Sequence, residues 1–309
     1  MRENRLRHGV SADSERGMMP QSAQARGRSG LWAYFGLTFA ISWLAWWAMA
    51  LFGIPGGSVS PDQPSPAAIG LALLAVGGFA PSIAGVLMTW RHEGRAGLRE
   101  LWRRCISFRL GGRAYLVVFL VPVMMSGVRI AVQVLRGGTL SLPTPLARPV
   151  LLVGLTVQLF LFGPLSEELG WRGFAMDRLL ARWGGLRSSL VLGAAHGLWH
   201  LPVFFVPGTI QQLWGNPVID FGSFWIGTIG MTVVFTWLHL ATHGSVWAAI
   251  LFHLTANYAS SLVWMSFDGG PVDRLVTGLS AIGAAAVLVW VGRSVFFRPP
   301  AGAGDNGIR

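Results

Sequence analysis

The sequence contains no lysine, only one cysteine and few charged residues for a chain of 309 residues. Charged residues make up 12%, against about 25% in a typical soluble domain, whereas 52% are hydrophobic. The single cysteine, Cys105, excludes an intramolecular disulfide. The net charge of +11 comes from arginines that lie beside the apolar segments and form no compact basic domain. We therefore expect no nucleic-acid partner.

Long apolar runs make up most of the sequence after the N-terminal 30 residues. Each is long enough to cross a hydrocarbon core of about 30 Å as a helix. We predict an all-α, polytopic integral membrane bundle of about eight transmembrane helices in contact with the lipid bilayer. The predicted segments lie near 31–53, 68–90, 113–135, 149–169, 188–206, 221–241, 245–265 and 275–296.

Arginines are distributed unequally between the two sides of this predicted bundle. Twenty fall in the tails and connections of one side, and three fall on the other, namely Arg136, Arg148 and Arg274. By the positive-inside rule, both termini are cytoplasmic. We predict a disordered cytoplasmic tail over 1–30, a membrane domain over 31–297 with its motif-bearing core near 150–260, and a short cytoplasmic tail over 298–309. The expected location is a cell membrane, crossed several times, most simply the bacterial inner membrane.

Residues 94–108 predict a short amphipathic helix at the cytoplasmic interface. Its apolar face combines positions spaced three and four residues apart. These positions are Leu98, Leu101, Trp102, Cys105 and Ile106.

Glu167 and Glu168, in GPLSEELGWRG, are the only carboxylates that we assign to an apolar span. An ionisable group at membrane depth costs about 2.5–3.5 kcal/mol or more, which makes it a candidate for function. Arg172 follows Glu168 by four residues, at ion-pairing distance along a helix. We expect Glu168 to pair with Arg172 and Glu167 to face the interior. The alternative is a charge cluster that snorkels at the membrane edge.

Two later apolar runs also carry polar side chains. His196 and His200 share one helix face, and so do His253 and Asn257, because each pair is four residues apart. Each pair alone is explained by interhelical hydrogen bonds of about 0.6 kcal/mol. The spacing of the two histidines also suits a metal, although the chain has no HExxH. Carboxylates, imidazoles and an amide in three spans indicate chemistry within the bilayer.

The sequence gives conflicting membrane depths for Glu167 and His200, which should lie close together in one site. Counting about 1.5 Å per residue from Arg187 places His200 deeper than Glu167. Either the fifth helix starts late, or the fourth helix runs on past Leu169 and buries Glu167 further.

In this order the motifs resemble those of the CPBP intramembrane proteases, named for CAAX-prenyl processing and bacteriocin self-immunity and also called the Abi family. The likeness covers about 150–260. It consists of an EExxxR motif, a histidine followed by Leu-Pro, and an HxxxN motif. These are Glu167-Glu168-Leu169-Gly170-Trp171-Arg172, His200-Leu201-Pro202 and His253-Leu254-Thr255-Ala256-Asn257.

The resemblance implies an endopeptidase in which Glu167 activates a water and His200 orients it. His253 and Asn257 would stabilise the oxyanion, with Glu168 and Arg172 completing the site. His196 stands where the family usually has an aromatic residue. The family has been described both as metal-independent glutamic proteases and as metalloproteases. We expect no cofactor; the alternative is Zn²⁺ on Glu167, His200 and His253, with His196 as a further ligand.

The expected partner is a peptide or membrane-anchored protein substrate. Because the acidic pair lies near the arginine-rich side, we expect a cytoplasmic-side cavity. Two other functions stay open: a non-enzymatic bacteriocin-immunity or scaffold protein that binds a peptide in the same cavity, and a proton-coupled transporter that uses Glu167 as its carrier site.

Overall fold

A computed structural model of the chain describes residues 30–56, 64–267 and 270–297. Within these ranges every regular element is helical and there is no strand, which confirms the all-α membrane bundle. Apart from Gly30, the tails predicted for 1–30 and 298–309 lie outside the described residues.

The helices follow one another with short connections. Two π-helical turns and one 3₁₀ turn interrupt the middle of the chain. The helices are α1 (Leu31–Phe52), α2 (Pro64–Cys105), α3 (Gly112–Leu135), α4 (Thr144–Ala147), α5 (Val150–Phe160), α6 (Ser166–Gly170), α7 (Met176–Trp199), α8 (Ile210–Leu213), α9 (Pro217–Ala241), α10 (Val246–Ser266), α11 (Pro271–Val291) and α12 (Arg293–Phe296). The π turns are Leu161–Leu165 and Trp171–Ala175, and the 3₁₀ turn is Leu201–Phe204.

Seven helices in the described ranges are long and apolar enough to cross a membrane. One of them is the continuous helical run Val150–Trp199, which contains the fourth predicted segment and most of the fifth. The run changes direction at Gly184, whose φ of 71° lies in the left-handed region. The end predicted near residue 169 is wrong, because the helix continues. Of the arginines assigned to the connection there, Arg172 and Arg178 are buried.

Glycines allow the central helices to approach closely. A Cβ on Gly170 would lie 2.1 Å from the carbonyl oxygen of Pro81, and one on Gly85 would lie 2.6 Å from the Cα of Gly170. Membrane helices associate through small residues of this kind, because lipid offers no hydrophobic driving force between them. The contact holds α6 against α2 near the middle of the bundle.

The amphipathic helix predicted over 94–108 is present as the last part of α2. It begins at Gly94, where a φ of 62° bends the helix. Leu101 and Cys105 are buried and pack in one cluster with Val246 and Ile250 of α10. Trp102 remains exposed. One part of the apolar face therefore packs on the bundle, and the other part is left for lipid.

The opposite end of the bundle contains buried charges that the sequence analysis did not assign. Arg129 of α3 pairs with Asp273 of α11 at 2.6 Å, and Arg274 pairs with Asp220 of α9. All four side chains are buried. Glu167 and Glu168 are therefore not the only carboxylates within the helices. Asp220 and Asp273 stand one and two residues before the predicted segments 221–241 and 275–296, so the hydropathy pattern placed both in connections.

Candidate active site

Two π-helical turns frame the acidic pair. Pro164 has no N–H to donate, and its ring prevents regular α-helical bonding. The chain widens into a π turn there, with Phe162 at φ −96° and ψ 27°. The second π turn, Trp171–Ala175, follows directly after α6. Glu167 and Glu168 thus occupy a single α-helical stretch between two wide turns, a type of irregularity common at functional sites.

Glu168 lies at the centre of a buried ion network. Its carboxylate accepts from Nη1 of Arg172 at 3.0 Å for both oxygens, which confirms the predicted pair. The same carboxylate lies 2.7 Å from Nδ1 of His253. The Arg172 guanidinium also stacks 3.6 Å above the ring of Phe235. Both members of the pair are fully buried, which contradicts the alternative of a charge cluster that snorkels at the membrane edge.

Glu167 faces a different set of side chains. Its Oε2 lies 2.6 Å from Nε2 of His196, and its Oε1 lies 4.0 Å from Nε2 of His200. Nδ1 of His200 is 3.0 Å from the carbonyl oxygen of His196 and donates to it. When the His200 ring is neutral, it therefore presents a lone pair on Nε2 toward Glu167. Because neighbouring helix residues point about 100° apart, the two glutamates serve separate partners.

The side chains of Asn257 and His253 lie close to the first π turn at Gly163. A Cβ at Gly163 would lie 2.7 Å from Nδ2 of Asn257 and 3.5 Å from Nε2 of His253. The absence of a side chain at this position lets the amide and imidazole of α10 approach the backbone just before the acidic pair.

A cavity of about 340 Å³ connects these groups. Glu167, His196, His200, His253 and Asn257 line it, so all of the expected catalytic side chains except the ion pair Glu168–Arg172 border the same space. The depth conflict in the sequence is resolved by continuation of the helix past Leu169, which leaves Glu167 buried.

From the acidic pair the cavity extends away from the arginine-rich end. Its remaining walls include Arg129, Gln211, Ser260, Asp273 and Thr277. These residues belong to the connections and helix ends that the arginine distribution assigns to the outer side. Taken with the positive-inside assignment, this lining points to the outer side, and the side on which the cavity opens stays a prediction.

The grouping of possible metal ligands also differs from expectation. Among the described residues, two sets have ligand atoms within 4.8 Å of one another. One is Glu167, His196 and His200, and the other is Glu167, Glu168 and His253. The predicted set combined His200 with His253, and these two histidines do not occur together in either group. His196 takes the place expected of His253.

The fold and the site define a polytopic membrane protein with a buried carboxylate–histidine centre that borders a cavity. The family model of the type II CAAX prenyl endopeptidase Rce1-like proteins matches residues 149–259, which contain every candidate catalytic residue. A curated relative, CAAX prenyl protease 2 of Methanococcus maripaludis, is 26% identical over 275 residues. The alignment covers 85% of this chain and 94% of the relative.

Residues 149–259 are therefore similar to the Rce1-like CAAX prenyl endopeptidases, which supports the family resemblance found in the motifs. This similarity supports a membrane-embedded endopeptidase.

Proposed function

We propose that this protein hydrolyses a peptide bond of a membrane-associated substrate with a water activated by Glu167. The observation that carries the proposal is the contrast between the two neighbouring glutamates. Glu168 is engaged by Arg172 and His253, whereas Glu167 borders the cavity and faces two histidines.

The 4.0 Å separation between Oε1 of Glu167 and Nε2 of His200 is too long for a direct hydrogen bond. A polar gap of this size suits a bridging water. Both groups accept hydrogen bonds when Glu167 is ionised and His200 has its proton on Nδ1. The water donates one hydrogen to each, Glu167 takes the proton, and the oxygen attacks the carbonyl carbon.

The oxyanion of the tetrahedral intermediate requires donors on the other side of the attacked carbon. Nδ2 of Asn257 and Nε2 of His253 converge on Gly163 and supply them. His253 donates from Nε2 while Nδ1 donates to Glu168 when the ring carries both protons. One well-placed donor contributes about 2.7–4 kcal/mol to such a transition state.

We propose that this chemistry needs no metal. Nε2 of His196 is only 2.6 Å from the Glu167 carboxylate, and Nδ1 of His253 is 2.7 Å from Glu168. These imidazole nitrogens therefore already have carboxylate partners. The alternative is Zn²⁺ on Glu167, His196 and His200, three side chains of the types that zinc prefers, with a fourth position left for water.

We propose a lipid-modified or membrane-anchored peptide as the substrate. Apolar side chains form much of the cavity wall, including Phe162, Phe224, Met231 and Trp264. The relative is named CAAX prenyl protease 2, which makes prenylated CAAX peptides the first compounds to test.

We further propose that the substrate enters from the end that holds Gln211 and Asp273. Replacing Cys105, the chain's single cysteine, by serine allows cysteines to be introduced one at a time. A cysteine at Gln211 should react with an impermeant maleimide on intact cells. One at Ser107, at the arginine-rich end, should react only after permeabilisation. The opposite result would place the cavity on the cytoplasmic side.

The test of function compares wild type with Glu167→Gln. Membrane proteomics should reveal fragments that disappear in the variant, and the purified wild type should cleave a prenylated CAAX peptide that the variant binds but does not cleave. An immunity or scaffold protein would keep its protective effect in the variant. A proton-coupled transporter would lose uptake and produce no fragments.

A further inference from the structure

Arg104, near the end of α2, makes hydrogen bonds that the reaction above does not use. Its guanidinium reaches three carbonyl oxygens and one carboxylate, which belong to four different residues. The acceptors are the carbonyls of Gly244 at 2.6 Å, Arg172 at 3.2 Å and Gly173 at 3.3 Å, and Oδ2 of Asp177 at 2.7 Å.

Two of these carbonyls belong to the second π turn, Trp171–Ala175. A π turn departs from regular α-helical bonding, and buried carbonyls need a donor from elsewhere. Arg104 supplies donors to Arg172 and Gly173 from a planar fork whose geometry is rigid. The backbone of Arg172 is thereby held from outside its own helix.

The guanidinium of Arg104 is itself held by Asp177, which in turn contacts His239. Asp177 accepts from Arg104 through Oδ2, and its Oδ1 lies 2.7 Å from Nε2 of His239 on α9. Gly244 belongs to the connection between α9 and α10. His239 is buried beside Asp177. Arg104, Asp177 and His239, here the Arg104 cluster, join the interfacial part of α2 to α7 and α9.

We infer that Arg104 is a positioning residue for the active site and acts through Arg172. It fixes the backbone of the second π turn. That backbone directs the Arg172 guanidinium onto Glu168, and Glu168 in turn holds His253. The inference rests on the proposed function, because it assigns Arg104 a part in the same reaction. Arg104 does not line the cavity and takes no direct part in the chemistry.

The neighbouring residue provides a matched control. Arg103 lies on the same helix with its side chain 67% exposed, and it pairs with Glu100 at 2.6 Å. Replacing Arg103 by alanine removes the same charge and the same length of side chain from the same interfacial helix. Its ion pair is exposed, so its loss should change little.

Activity is measured on a prenylated CAAX peptide for wild type, Arg104→Ala, Arg104→Lys and Arg103→Ala. Arg104→Ala should lower kcat by about 10- to 100-fold, since a misplacement of about 1 Å has effects of that size. KM should change less than about twofold, Arg104→Lys should recover part of kcat, and Arg103→Ala should match wild type. In an Arg172→Lys background the further loss from Arg104→Ala should be small, because the two residues act on one contact.

Hydrogen–deuterium exchange of the detergent-purified proteins needs no substrate. Arg104→Ala should increase exchange in residues 166–176, and Arg103→Ala should not. Unchanged exchange there, or unchanged kcat, or additive losses with Arg172→Lys would overturn the inference. A wild type that does not cleave, with increased exchange in Arg104→Ala, would refute the protease proposal and leave the link from Arg104 to the π turn intact.

Discussion

Gly163 is the position where the smallest change should test the proposed oxyanion site. An added Cβ would lie 2.7 Å from Nδ2 of Asn257, whereas ordinary contacts begin near 3.4 Å. Gly163→Ala therefore requires the amide to retreat by roughly 0.7 Å. The φ of Gly163 is not in the left-handed region, so alanine meets only the side-chain contact.

A shift of this size should lower kcat by about 10- to 100-fold, because donors that miss the developing charge no longer stabilise it. Overpacking of a buried contact costs about 1–3 kcal/mol, which a membrane bundle of this size is expected to survive. The assay is steady-state cleavage of a prenylated CAAX peptide, with thermal unfolding in detergent as the check on folding.

Gly154 provides the matched control on the preceding helix. A Cβ there meets no atom within 4 Å. Gly154→Ala should keep full activity and be as stable as wild type or slightly more, because alanine favours a helix interior. If Gly163→Ala were folded and as active as Gly154→Ala, Asn257 would not be an oxyanion donor and the reasoning would be refuted.

Three further changes test the charges and the metal alternative. Glu168→Gln should lower the unfolding temperature more than Glu167→Gln does, since it leaves Arg172 buried without a full countercharge; equal melting curves for the two variants would contradict this. Asp273→Ala should cost about 3–5 kcal/mol of stability, because it leaves the buried Arg129 without its carboxylate. The control Glu100→Ala removes a surface carboxylate and should cost under about 1 kcal/mol. Equal losses of stability in the two variants would argue against a buried ion pair. Chelation should leave peptide cleavage unchanged and metal analysis should find less than one equivalent per chain; stoichiometric zinc with chelator-sensitive activity would favour Glu167 as a ligand.

Much of the candidate site follows from local spacing. Residues four apart on a helix share a face whatever the helix packs against, so the sequence alone predicted the Glu168–Arg172 pair and placed His253 beside Asn257. The long apolar runs likewise determined a helical membrane bundle, because a chain in lipid must satisfy its backbone hydrogen bonds within each segment. The separation of the two glutamates onto different partners followed from helix geometry in the same way.

Only the tertiary structure determines which distant side chains each of these helix faces contacts. His196 reached Glu167 across 29 positions of sequence and His253 reached Glu168 across 85, and no local pattern encodes which distant ring meets which carboxylate. The two π turns also escaped prediction, because Pro164 marks an irregularity without specifying how the helix continues beyond it.

The direction of the cavity and the docking of Arg104 depend on how whole helices pack. Hydropathy determined that α2, α9 and α11 lie in the membrane, since the transfer of apolar side chains depends only on composition and length. Close backbone approaches, such as that of Gly170 to Pro81, determine which helix ends pack together and which leave a cavity. Buried ion pairs, such as Arg129 with Asp273, have the same effect. Those contacts join residues distant in sequence, and their energies exist only once the bundle has assembled.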